Sequence, residues 1–228
     1  MNDTAVIRLL TMLQHSDSQF PSGGFAFSQG LEASSQLAGT LGHFNFSSFV
    51  ETQIRHRWAG ADRVALVRAY RLAGDTVLLA ELDHETDTAT FSEGLRTGSR
   101  RNGVALLTAH ARIGTSHANA YRSMVQKGQA CGHLAVAQGL LWQAIGLDEE
   151  DVVCMAGYQM AASLSTAALR LGLIGAIEAQ EMMPSFLNLV ADLAREPVSR
   201  GQPLHSFTPL AEIATALHGS SGQRLFYN

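Results

Sequence analysis

No proline occurs between Pro21 and Pro184. A proline inside a helix removes a main-chain donor and clashes with the preceding turn, at a cost of about 3 kcal/mol. A span this long without one is free to be almost continuous helix. Ala, Leu, Gln and Arg, all strong helix formers, dominate it, and the alternating Val, Ile, Thr and aromatic pattern of strands is absent. The sequence therefore predicts an all-α fold, a bundle of roughly nine to ten helices. At 228 residues the chain sits near the upper size for one core, so residues 1–228 are expected to form a single domain with a loop-like tail over 196–228.

The clearest helix is "LDEEDVVCMAGYQMAASLSTAALRLG". Asp148 is a natural N-cap, and Glu149, Glu150 and Asp151 put negative charge in its first turn. Val153, Gly157, Met160, Leu164, Ala167 and Leu171 repeat at steps of three and four and form one face, with Gln159, Ser163, Thr166 and Arg170 running beside it. This reads as a central helix packed on several sides. "QACGHLAVAQGLLWQAIG" reads as a second helix ending at the C′ glycine Gly146. A third starts at Ser92 and carries Gly98 and Gly103 inside its pattern, each costing up to ~1 kcal/mol against Ala. That cost implies a packing use or a local break. Weaker patterns cover roughly 4–15, 24–38, 46–58, 61–73, 76–84 and 184–195. The tail is loop-like until a last apolar segment, "TPLAEIATALH".

Charge and motifs exclude several function classes. A net charge of -4 with 16 basic residues leaves no positive excess for a phosphate backbone, so nucleic acid is not an expected partner. Cys131 and Cys154 are too few and too far apart for a disulfide scaffold or a CxxC site, and read as reduced, buried thiols. The N-terminus has an acidic residue where a signal peptide carries Lys or Arg, and no stretch reads as the ~20 apolar residues of a membrane span; the expectation is a cytoplasmic protein. Glu81 and His84 form one E-x-x-H pair where a di-iron bundle needs two, and their polar run reads as a solvated helix end. On a helix, Cys131 and His133 would point away from each other, which favours core placement over metal binding.

The stretch "SDSQFPSGGFAFSQGLE" looks like a phosphate loop and is not one. A P-loop lysine must reach the phosphates, and the single lysine, Lys127, follows no glycine. A dinucleotide fingerprint needs a preceding strand, and "LLTMLQHSDSQF" reads as helix then turn. Pro21 fixes φ before the turn, while Gly23 and Gly24 are free to take φ > 0 or admit a neighbouring backbone. Ser28 and Glu32 lie four apart on one helix face. These glycines, with Gly30, either shape an interface or make a tight turn before the next helix.

The same stretch resembles the urease accessory proteins of the F type (UreF). It is similar to that family's helix followed by P-x-G-[GS]-[FY] and S-x-G-L-E, matching at Pro21, Gly23, Gly24, Phe25, Ser28, Gly30, Leu31 and Glu32. "RRNGVALLTAH" looks like the family's small-residue helix, with Ser99 and Gly103 in register. Arg170, Leu171, Gly175 and Gln180 match its R-L-x-P-L-G-Q-x-x-x-Q block, and Pro209, Ile213, His218, Arg224, Leu225 and Phe226 match its C-terminal block. Leu173, Ala176, Glu212 and Gly219 depart from the pattern, and Gly219 removes a carboxylate that relatives carry.

The resemblance implies an all-α protein, often a homodimer, without catalytic activity. Relatives bind the D-type accessory protein, called H in some organisms, and recruit the G-type GTPase. GTP turnover then drives nickel delivery to apo-urease, with the F-type protein as activator or fidelity gate. No cofactor is expected to be held stably; nickel is handled by the complex. Contacts with partners are expected from Phe25, Ser28, Glu32, Arg170, Gln180, His218, Arg224, Leu225 and Phe226, and turn-forming roles from Pro21, Gly23, Gly24 and Gly30. Arg224 offers a rigid fork of donors suited to a carboxylate or carbonyl, and the family places it near Phe25, where contact would be stacking or cation–π. Arg170 either complements the helix dipole or faces a partner. A metal-dependent helical-bundle enzyme is the alternative, and a DNA-binding helical regulator, motivated by "RTGSRR" and "RHR", the more distant rival.

Overall fold

A computed structural model of the chain describes residues 3–22, 28–41 and 43–218. In order, the helices are α1 (Asp3–Ser16), α2 (Leu31–Leu41), α3 (Phe46–Gln53), a π-helical segment (Ile54–Asp62), α4 (Arg63–Arg71), α5 (Thr76–Ala89), α6 (Glu93–Arg112), α7 (Ala118–Gln126), α8 (Leu134–Ala144), α9 (Glu149–Arg170), α10 (Ala176–Ala194) and α11 (Pro209–His218). Because α3, the π segment and α4 follow without a break, the twelve segments among the described residues make ten rods. No strand occurs among the described residues, and the all-α expectation holds.

The central role of α9 follows from its sequence. Asp148 caps it, and the Asp151 carboxylate accepts from the Asp148 N–H at 3.3 Å, as a capping box does. Val153, Met160, Leu164 and Ala167 are all buried. Gly157 admits Trp58 and Val190: a Cβ there would overlap the valine and lie 3.0 Å from the indole. Among the described residues α9 is the one helix long and apolar enough to cross a bilayer, which the sequence reading did not anticipate. Here that apolar surface packs on α10, α4, α8 and α1.

Where the boundaries differ from expectation, the causes are local. The second predicted helix begins only at Leu134, because Gly132 takes φ +80° and the N–H groups of residues 131–133 turn to the Asp83 carboxylate. α10 starts eight residues before Pro184, at Ala176, where Glu178 Oε2 accepts from the Gly175 N–H at 3.2 Å; the proline is internal and cannot donate to the Gln180 carbonyl one turn back. α2 begins at Leu31, so Ser28 precedes the helix instead of sharing its face with Glu32. α7 was not anticipated; it buries Ala118 and Tyr121.

The π segment explains how part of the tail is held. Its wider turns, seen where the Arg63 N–H reaches the Trp58 carbonyl, turn other carbonyls outward. Gly60 O accepts from the His205 N–H at 3.1 Å and His56 O from the Phe207 N–H at 2.7 Å. A Cβ on Gly60 would lie 2.6 Å from His205 O, so only glycine lets the extended segment approach. Arg63 fixes the same region, donating to the Glu196 carbonyl at 2.6 Å.

Candidate functional site

Residues 28–31 of the opening motif form a buried turn under α11. The Leu31 N–H bonds to Ser28 O at 3.0 Å, with Gln29 at φ +52° and Gly30 at φ +83°. The Gln29 amide donates to Ser163 Oγ on α9 at 3.0 Å. Gly30 does two jobs: it takes the left-handed conformation, and it admits α11, since a Cβ would meet Thr215 Oγ1 at 3.0 Å. α11 buries Ala211, Ala214 and Thr215 against this turn and leaves Leu210 and Ile213 outward, 72% and 52% exposed.

Of the residues marked by the sequence, Ser28 and Glu32 are buried within the chain, each with partners of its own. Pro21 is exposed, as are Arg170 at the end of α9 and Gln180 on α10. Gly23, Gly24, Phe25, Arg224, Leu225 and Phe226 lie outside the described residues. His218 ends α11, and its side chain lies outside them too.

Gln180 lines a cavity of about 530 Å³ bounded by the π segment, α6, α8, α9 and α10. Three of the four polar residues that flank the apolar stripe of α9, Gln159, Ser163 and Thr166, also line it. The Gln138 amide donates to Gln159 Oε1 at 3.0 Å, and the Gln159 amide donates to His15 O at 2.8 Å. Asn102, Arg57 and Trp58, which the sequence reading did not single out, complete a mixed lining in which serine, glutamine and asparagine side chains are set among apolar ones such as Leu66, Leu106 and Met160. For Asn102 the signal was available: Leu95, Ser99, Asn102 and Leu106 fall on one face of α6.

A second buried network ties α5, α6 and the loop before α8. Asp83 accepts from the Tyr121 hydroxyl at 2.9 Å and from the N–H groups of Cys131, Gly132 and His133 at 3.0, 2.6 and 2.9 Å. Ser99 Oγ accepts from the Leu134 N–H at 3.2 Å and pairs with His133 Nδ1 at 3.1 Å, and His133 Nε2 meets Asp87 at 2.8 Å. One assignment satisfies all of these: the Ser99 hydroxyl donates to Nδ1 and the Nε2–H donates to Asp87. Burial pushes the Asp87 carboxyl up, but hydrogen bonds from Arg100 and His133 outweigh it and hold the group below its ordinary value. Burial beside Asp83 pushes the Tyr121 phenol far up.

His133 is in the core as expected. Cys131 is only half buried, against expectation, as is Cys154. Cys131 Sγ lies 3.3 Å from Nδ1 of the exposed His84, and burial with Asp83 and Asp87 nearby raises the thiol to about 11. A neutral thiol is a poor ligand and nucleophile. Among the described residues no three His, Cys, Asp or Glu side chains gather as a metal site.

α1 is joined to α6 by two stacked imidazoles, His15 and His110, with centroids 5.2 Å apart and Phe20 against both. Burial lowers both, His110 to about 4 with His15 adding to the effect. The unfolded chain takes up this proton near 6.5 and the folded ring only near 4, so the unfolded state binds more protons throughout that window. Stability contributed by a neutral His110 is complete above pH 6.5 and declines as pH falls toward 4. The expected loss is about 1–2 kcal/mol, below the ~3 kcal/mol a shift of this size carries in full, because the surroundings relax around the charged ring. Urea midpoints measured across this window should fall for the wild type, with a shallower fall for His110→Gln.

Comparison with known proteins agrees with the architecture. A family model described as UreF matches residues 44–187. The urease accessory protein UreF of Trichodesmium erythraeum is 29% identical across 100% of both chains. UreF 1 of Brucella melitensis is 29% identical over 96% of this chain and 92% of its own. The Photorhabdus laumondii protein of the same name is 27% identical over 97% and 99%. The family match spans well over half of the sequence, and the relatives align nearly end to end. The chain thus belongs to the UreF family and is an accessory protein of urease maturation, not an enzyme.

Proposed function

We propose that this protein is the assembling scaffold of a urease maturation complex: it binds the D/H-type accessory protein, recruits the G-type GTPase and regulates its turnover. GTP-dependent nickel delivery to apo-urease follows from that assembly. The protein works in the cytoplasm as a homodimer, and nickel is cargo of the complex, with no cofactor held stably by this subunit. Arg170 and Gln180 face partners in this reading, and Phe25, His218, Arg224, Leu225 and Phe226 extend the contact surface of the tail.

The observation that supports it most is the contact between the turn at Gly30 and α11. The opening motif and α11 meet at Gly30, and the outward face of α11 presents Leu210 and Ile213 to solvent with the exposed Phe207 just before it. An apolar face on a short C-terminal helix is what a protein partner buries.

Co-purification with the D-type and G-type partners tests this. Truncation before Pro209 should abolish D-type capture, and Arg224→Ala should weaken it. Because truncation also uncovers Gly30, a Leu210→Glu, Ile213→Glu double variant is the companion. Both side chains are exposed, so its thermal midpoint should match the wild type while D-type affinity falls at least about tenfold. Normal assembly by the folded double variant and by the truncation would remove α11 and the tail from the mechanism.

A further inference from the structure

Helix α1 is fastened to the body by its polar side. Arg8, Met12 and His15 fall at steps of four and three and so share one face. Arg8 pairs with Asp148 and, at 3.0 Å, with Asp151. Met12 packs against the core, and His15 is buried against Phe20 and His110. The Gln159 amide holds the end of the helix through His15 O at 2.8 Å. The outward face carries Ile7, Leu9, Leu10 and Leu13, which are 63%, 46%, 54% and 59% exposed. Arg8, the one charged residue from Ile7 to Gln14, lies on the body side. Roughly 400 Å² of apolar side chain therefore stands open on a single helix, the size at which a patch on a soluble chain marks a contact surface.

We infer that, given the homodimer proposed above, this leucine face is its self-contact: α1 of one copy lies on α1 of a second copy across a twofold axis near Leu10. A twofold axis sets a patch against itself, so any charge on the patch would meet its like. A face without charge escapes that repulsion, and the same lack of charge leaves it little with which to select a different protein. Leucines at steps of three and four interleave in a helix pair about 8–10 Å apart. The antiparallel arrangement is favoured, because a parallel one would set like ends of the two helix dipoles side by side. Two such faces bury roughly 800 Å² together, below the ~1,200 Å² of a standard interface. The dimer is accordingly a weak one, with a dissociation constant of about 10–100 μM.

Analytical ultracentrifugation of the full-length chain tests this. Wild type should pass from monomer to dimer between about 5 and 500 μM, and Leu10→Glu and Leu10→Lys should each raise the dissociation constant at least about tenfold. Leu10 is exposed and both new residues are good helix formers, so thermal midpoints of dilute samples should match the wild type. An equimolar mixture of the two variants should recover the dimer, because opposite charges then face each other across the axis, and about 1 M salt should weaken that recovery. Wild-type dimerisation left intact in both variants would overturn this surface while the homodimer stands. A wild type that stays monomeric throughout the range would overturn both. Variants that fail to pair when mixed would remove Leu10 from the axis and overturn the arrangement. Loss of D-type capture by the variants at unchanged dimer affinity would give the face to a different protein and overturn the self-contact.

Discussion

Asp83→Asn is expected to cost about 3–5 kcal/mol, the range for breaking a fully buried, hydrogen-bonded charge site. At this chain length that lowers the thermal midpoint by roughly 6–20 °C. The carboxylate is completely buried and is the common acceptor for one hydroxyl and three main-chain N–H groups. Asparagine keeps the volume but offers one oxygen where there were two, and its amide hydrogens face donors. At least one N–H of residues 131–133 then loses its acceptor with no water to replace it. The loop has no helical bonds of its own, since Gly132 at φ +80° has already left that geometry. Hydrogen exchange should accelerate first at residues 131–133 and at the start of α8. Asp87→Asn is the comparison: that carboxylate is partly exposed and bonded to Arg100 and His133, so a smaller loss, about 1 kcal/mol, is expected. Equal losses in the two variants would mean that Asp83 does not organise the loop.

Asp83 also marks the limit of what the sequence discloses. The run "ELDHETDT" reads as solvated because charged residues are rarely buried, yet Leu79, Leu82, Asp83 and Thr86 fall at helical spacing and all four are buried. Periodicity held the clue and residue type obscured it. Arg57 and Arg63 were hidden in the same way inside "RHRWAGADR", and no local pattern announces that α3 and α4 join through a π segment.

Features set by short-range chemistry were legible. Ser92 and Asp148 precede α6 and α9, and Gly146 takes φ +84° after α8. The polar row beside the apolar stripe of α9 faces the cavity through Gln159, Ser163 and Thr166. The suspicion attached to Gly103 was justified on the packing side: a Cβ there would overlap Gly132 O and lie 2.8 Å from the His133 carbonyl carbon, while α6 runs unbroken. What stayed out of reach was long-range pairing: which helix Gly30 admits, and which loop Asp83 gathers.

Gly139→Ala isolates one such pairing, because local and tertiary effects predict opposite signs. Inside a helix, alanine is favoured over glycine by up to ~1 kcal/mol. At Gly139 the new methyl would overlap the Leu66 carbonyl oxygen and lie 2.8 Å from both Ala69 Cβ and Tyr70 N. Two of these atoms are main chain, so no rotamer change relieves them. Nor is α4 free to retreat from α8, with which it shares its most extensive interface. Tyr70 donates to Leu147 O at 3.0 Å, Arg71 grips Glu149 through two bonds of 2.7 and 2.6 Å, and Arg68 grips Glu85 through two of 2.7 Å. Overpacking against a fixed backbone costs at the upper end of about 1–3 kcal/mol or beyond, which exceeds the propensity gain. A net loss of about 2 kcal/mol is expected in denaturant titration. Gly39→Ala, inside α2 with nothing within 4 Å of the added carbon, should move the opposite way, gaining up to ~1 kcal/mol. If both substitutions stabilise the protein, α4 and α8 do not approach as closely as this packing requires.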